Sequence, residues 1–188
     1  IAADGVPIVV SMGGAAASGG YWIAAAADEI WAMPSTITGS IGVLSAFPTF
    51  EGVFDYVGAT VDGVGTTTMA GSLDPSRPLD ENSERIFQAV VDGIYREFLN
   101  LVATARHMTV EEVDAIAGGK VCIGRQAKEI GLVDQLGSLD DAIASAAALA
   151  QVEEYNAKRF GTPITPQQLL LEELGSSFGV SLPQAFGS

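Results

Sequence analysis

The stretch "PIVVSMGGAAASGGYWIAAAADEIWAM", residues 7–33, limits the possible folds more than any other part of this 188-residue chain. It begins with a short, nearly unbroken apolar run, "PIVVSM", set between a proline and glycines, which is the pattern of a strand buried on both faces. The alanines after Ser18 favour a helix that stops near Asp28. "EIWAM" at 29–33 reads as a second strand, ended by Pro34. Strand, glycine-rich turn, helix and strand in this order favour an α/β architecture with a parallel sheet.

The remaining residues extend this pattern. "STITGSIGVLSAF" places two glycines around Ser40 before another apolar run. "TFEGVFDYVG" (49–58) predicts a short helix leading into a strand-like "ATVDGVG", and the Thr-, Ser-, Gly- and Pro-rich residues 66–79 predict an exposed loop. Pro78 suits the start of a long helix reaching about residue 106, with Ile86, Val90, Ile94, Phe98 and Val102 as one apolar, core-facing stripe. "TVEE" (109–112) is a capping box opening a short helix that runs to "AGG" at 117–119. "KVCI" is a strand candidate, Gly131 closes the following short helix, and Ser138 starts another over 138–150. Residues 1–160 are expected to form one domain, and 161–188 a weakly ordered or partner-dependent extension. The chain opens at "IAADGVPIVV" with neither an initiator Met nor a charged leader, so it is expected to be a piece of something longer.

Composition excludes several function classes. Nine Lys plus Arg against twenty-three Asp plus Glu give a formal charge of −14, which disfavours nonspecific binding to nucleic acid or anionic lipid. One cysteine, Cys122, permits no internal disulfide, and one Cys with one His cannot supply an ordinary zinc site, so neither metal nor cofactor is expected. No stretch reaches the roughly 18 to 20 apolar residues needed to cross a bilayer.

Ser18, within "SMGGAAASGGYW", is either a nucleophile or a small residue where bulk will not fit. A nucleophilic serine needs exposure on a rigid turn, donors for the developing oxyanion, and a base. Between a strand and a helix start the first two are available: the Gly19 N–H is free to bind an oxyanion, a contribution of about 3 kcal/mol in the transition state. The spacing is not the G-x-S-x-G elbow, because Ala16 stands two residues before Ser18. The base is missing. His107, the one histidine, falls at the end of the long helix, where a capping or surface role suits it. Lys128 and Lys158 read as surface and tail residues, and Lys120 reads as solvating a turn.

The blocks "PIVVSMGGAAASGGYWIAAAADEIWAMPSTITGSIGV" and "TVEEVDAIAGGKVCIGRQAKEIGLVDQLGSLDDAI" together resemble the bacterial signal peptide peptidase A family, specifically the carboxy-terminal half of its long, tandem-domain form. The resemblance runs from about residue 6 to residue 155. It implies a Clp protease/crotonase-like fold with repeated β-β-α units, here incomplete at the N-terminus, and a Ser/Lys serine endopeptidase that degrades cleaved signal peptides within their apolar segment. The family nucleophile falls on Ser18, the oxyanion donor on Gly19, and the serine that orients the lysine base on Ser40, within a matching "TGSIG". The apolar residues Tyr21, Trp22, Ile41, Val43 and Leu44 near the turn are expected to line substrate pockets.

One departure is decisive for mechanism. In short members of the family the base lysine sits in the loop corresponding to "GTTTMAGSLDPSR", but residues 65–77 hold no lysine, and Met69 or Ala70 stands about where it would fall. In the long form that lysine comes from the amino-terminal half, so the segment alone is expected to be inactive. The implied partners are peptide substrates, the amino-terminal half and neighbouring protomers, as a tetramer. The implied location is the bacterial inner membrane, with the catalytic domain on the periplasmic side. Two other readings stay open: a noncatalytic assembly domain of the same fold, and a crotonase-like acyl-CoA enzyme.

Overall fold

Short apolar runs broken by glycine and proline can build only short strands, and six are found among the described residues. The structure, a computed structural model, describes residues 5–67, 69–158 and 160. It divides into a unit over residues 1–153 and a second over 154–188. The expected extension over 161–188 lies outside the described residues.

In the first unit, β1 (Val9–Met12) runs into β2 (Ala15–Ala17) and then α1 (Gly19–Ala25); β3 (Glu29–Ala32) runs into β4 (Ile37–Gly39) in the same way. Each pair crosses from one small sheet to the other. The first sheet has the order β1-β3-β6, with β6 at Gln135–Leu136, and is parallel throughout. The second has the order β2-β4-β5, with β5 at Val121–Ile123 pairing antiparallel to β4. The crossing is held by Thr36, which is buried: its hydroxyl donates to the Gly13 carbonyl at 2.7 Å and accepts the Met33 N–H at 3.0 Å. Ile37 N–H then reaches the Gly14 carbonyl at 3.0 Å. The α/β class and the early strands are as expected. The "AAA" of β2 and the two-residue β6 carry too little pattern to be read in advance, because alanine favours helices and β6 is too short for a period.

The remaining helices are α2 (Glu51–Tyr56), α3 (Glu81–Arg106), α4 (Val110–Ile116), α5 (Gly124–Glu129) and α6 (Leu139–Leu149). The capping box at α4 forms as its sequence requires: Thr109 Oγ1 accepts the Glu112 N–H at 3.1 Å, and Glu112 accepts the Thr109 N–H at 2.8 Å. Ser138 caps α6. Asp80 caps α3, accepting the Asn82 and Ser83 N–H groups at 2.9 and 3.0 Å.

Two expectations fail for reasons of periodicity. "ATVDGVG" is irregular chain, not strand. Val61 and Val64 are an odd number of residues apart, so in a strand they would face opposite sides and leave no apolar face to bury. Nor does the stripe on α3 stay on the core. Phe98 and Val102 are buried, but Ile86, Val90 and Ile94 are 47%, 53% and 41% exposed. Each four-residue step overshoots a helical turn by about 40°, so five such residues wind through about 160°. The true core face is Phe98, Leu99, Val102 and Ala103, in the i, i+1, i+4, i+5 pattern of a proper apolar stripe.

That face packs against α1, whose Tyr21, Ala24 and Ala25 are buried. Trp22 meets Phe98 with ring centroids 4.5 Å apart. The C-terminal end of α3 is clamped to the loop before β6: the Arg106 guanidinium donates to both Asp134 carboxylate oxygens, at 2.5 and 3.0 Å, and to the Gly131 carbonyl at 2.9 Å. Asp134 also accepts the Ile30 N–H at 2.8 Å, which joins the clamp to β3. Among the described residues no helix is long and apolar enough to cross a membrane.

Candidate active site

The site is set by strand register. β2 and β4 pair in parallel with Ala17 opposite Gly39, so the next residues, Ser18 and Ser40, leave the sheet side by side. The Ser18 N–H donates to the Gly39 carbonyl at 2.9 Å, extending the ladder by one bond. Ser18 must then turn at once into α1, where its own carbonyl takes the Trp22 N–H at 2.9 Å. To do both, it adopts φ 53°, ψ −119°, a conformation that L-residues avoid. Ser40 sits at φ 52°, just after Gly39 at φ 75°. Strain of this kind costs about 1–3 kcal/mol per residue and persists only where the surroundings enforce it.

The surroundings are backbone. Ser40 N–H donates to the Lys120 carbonyl at 2.8 Å, and Gly119 N–H to the Ile41 carbonyl at 2.9 Å. A Cβ on Gly42 would stand 2.7 Å from the Gly119 nitrogen, so both chains approach as closely as glycine permits. The result is an open cleft of about 600 Å³ with Ser18 and Ser40 in its wall, lined further by Gly42, Val43, Leu44, Val91, Asp92, Tyr95, Gly118 and Gly119. Ser18 and Gly19 are exposed. Gly19 is the first residue of α1, and its N–H has no acceptor within the helix.

The other expected residues divide between cleft and core. Val43 and Leu44 line the cleft, Leu44 being 93% exposed. Tyr21 and Ile41 do not: they are 0% and 1% exposed, and the Tyr21 hydroxyl donates inward to the Leu132 carbonyl at 2.8 Å. Burial holds the Tyr21 phenol far above its ordinary pKa, so it stays neutral. Trp22 is half-buried against Phe98 rather than in the cleft wall. The structure thus places these three outside the cleft lining.

No basic side chain lines this cleft among the described residues. Lys120 reaches back to cap α4, donating to the Ala115 carbonyl at 2.9 Å; Lys128 donates to Gln135 at 2.9 Å; Lys158 lies over the Phe160 ring at 5.2 Å. His107 ends α3 in the left-handed conformation and lines a separate cleft of about 710 Å³ with Asp28 and Glu97. Cys122 is half-buried beneath Gly39, and burial pushes its thiol pKa up, so it is a packing residue and no rival nucleophile. Tyr95 also resists ionisation, through burial first and then its hydrogen bond to Asp114 at 2.6 Å.

Sequence reasoning overlooked the far wall. Tyr95 and Asp92 lie on a helix whose stripe drew attention to other residues, and "AGG" at 117–119 reads as a helix stop. The clue was the glycine pair itself, since two adjacent glycines suit a close backbone approach as well as a turn.

The fold and cleft define an α/β domain built around two strained, adjacent serines, with a free helix-start N–H beside one of them. Residues 1–153 match the family described as peptidase family S49. The chain is 40% identical over 183 residues to "Protease 4" of Salmonella typhi, covering 97% of this chain and 29% of that protein. It is 42% identical over 153 residues to "Protease 4" of Haemophilus influenzae (81% and 25%), and 32% identical over 179 residues to "Serine protease SPPA, chloroplastic" of Arabidopsis thaliana (93% and 26%). It therefore spans under a third of the length of these relatives. This chain belongs to peptidase family S49.

Proposed function

We propose that this chain carries the nucleophile of a Ser/Lys peptidase of Clp protease/crotonase-like fold whose base lies outside it. The observation that carries this reading is Ser18: exposed, strained, at the wall of a cleft, and followed by the unengaged N–H of Gly19. A purely structural residue at φ 53° would be better served by glycine, which meets no steric cost there.

In the proposed reaction the Ser18 hydroxyl attacks a peptide carbonyl while a neutral lysine amine accepts its proton. The carbonyl oxygen becomes an oxyanion held by the Gly19 N–H. The ammonium then returns the proton to the leaving amine, and water hydrolyses the acyl-serine by the same relay. Ser40, beside Ser18 where β2 and β4 leave the sheet, orients the amine. The lysine must lose its proton near neutral pH, and burial against this cleft when the halves of the protein assemble supplies the desolvation that lowers its pKa.

Val43, Leu44 and Val91 make the cleft suited to apolar peptide segments, the chemistry of cleaved signal peptides. Neighbouring protomers in a membrane-attached oligomer complete the reading. In the full-length protein, Ser18→Ala is expected to lower kcat by at least about a thousandfold and to abolish labelling by a serine-directed phosphonate. Undiminished cleavage by that variant overturns the proposal and favours the noncatalytic assembly domain.

A further inference from the structure

Asp92 gives the cleft a charge that the reaction does not use. It is the one carboxylate in the cleft lining, among two serines, Tyr95, apolar residues and glycines, and no Lys, Arg or His accompanies it among the described residues. Its side chain is exposed on α3. The Gln88 amide, one turn earlier, donates to Oδ1 at 2.7 Å and leaves Oδ2 open. The Tyr95 hydroxyl, three residues on along the same helix, is already committed to Asp114. Arg96, one turn later on α3, forms no ion pair with Asp92 among the described residues and does not line the cleft.

A peptide seated along Val43, Leu44 and Val91 therefore meets apolar walls and one unneutralised carboxylate, held in place by an amide. We infer that Asp92 is a specificity-determining residue that selects, within an otherwise apolar peptide, a lysine or arginine side chain. The inference rests on the reading of this cleft as a peptide site and extends it from apolar segments to apolar segments bearing one cation. A neutral polar residue would lack the attraction, and an acidic one would meet repulsion from Asp92 and from the surplus of negative charge on the chain.

The test uses the full-length protein with Ser18→Ala, so that binding is read without turnover. A short fluorescent apolar peptide is prepared with Lys, Gln or Glu placed at each position in turn, and affinities are measured by anisotropy. At its best position the Lys peptide is expected to bind about two- to fivefold more tightly than the Gln peptide, the range of an exposed ion pair. That preference should fall away as salt is raised, vanish in Asp92→Asn, and turn toward Glu in Asp92→Lys.

Equal affinities for Lys and Gln at every position overturn the inference, as does a preference that survives Asp92→Asn. Because Asp92 is exposed, both variants should keep the parent circular dichroism, and a preference lost only through unfolding would show there as a lost spectrum. The same peptides given to the Ser18-intact protein separate the two readings. Selective binding without cleavage sinks the peptidase proposal and leaves Asp92 selective, while cleavage indifferent to Lys sinks Asp92 alone.

Discussion

Ser18 carries its function in its backbone as much as in its hydroxyl. At φ 53° and ψ −119° the Cβ is what makes the conformation costly, so Ser18→Ala keeps the strain and Ser18→Gly releases it. Ser18→Gly is expected to be more stable than Ser18→Ala by about 1 kcal/mol, the strain relieved less the entropy that glycine adds to the unfolded chain. Urea unfolding of the two variants measures this, and an equal or lower midpoint for the glycine variant would show that the turn is relaxed. Ser18 was legible as a candidate from its small neighbours alone. Its strain was not, since it comes from two simultaneous hydrogen bonds, one to Gly39 and one from Trp22, that no local sequence reveals.

At the scale of elements, α3 divides into a half that holds the fold and a half that faces solvent in this chain. Phe98→Ala removes a ring that is 1% exposed and tilted against Trp22, and is expected to cost about 3–5 kcal/mol. Ile86→Ser and Val90→Ser, at 47% and 53% exposure, should each change stability by no more than about 0.5 kcal/mol. Thermal and urea unfolding of the three variants distinguish this division from a continuous core stripe, which would make all three costly. The starts of α4 and α6 were readable from caps, because capping is chemistry between residues a few places apart, whereas α3 was read from Pro78 and its apolar spacing and in the structure starts at Glu81 behind an Asp80 cap. Which face of α3 is buried was not, because the four-residue spacing drifts around the helix and only the packing of α1 selects a face.

Across the whole molecule, the clamp that holds the C-terminus of α3 to both β3 and the loop before β6 is ionic. Burial works against charge on Asp134, but the Arg106 guanidinium and the Ile30 N–H outweigh it, and the carboxyl pKa lies below its ordinary value. A depressed folded-state pKa contributes stability that is complete above the unfolded value of about 3.9 and disappears as pH falls through the folded one. Asp134→Asn is therefore expected to be less stable than the parent at neutral pH and to lose less stability on acidification from about pH 5 downward. Unfolding midpoints measured across that range check it: parallel curves for parent and variant would mean that the pair adds no pH-dependent stability.

The sequence by itself determined the α/β class, the caps, the resemblance and the candidacy of Ser18, because each of these resides in patterns of adjacent residues. Strand register, the Gly42–Gly119 approach and the far wall of the cleft were decided only by tertiary structure. They depend on hydrogen bonds and contacts between segments tens of residues apart, such as Ser40 with Lys120. The same distinction sorted the expected pocket residues: Val43, Leu44, Tyr21 and Ile41 are equally apolar in sequence, and only the fold directs the first two into the cleft and the last two into the core.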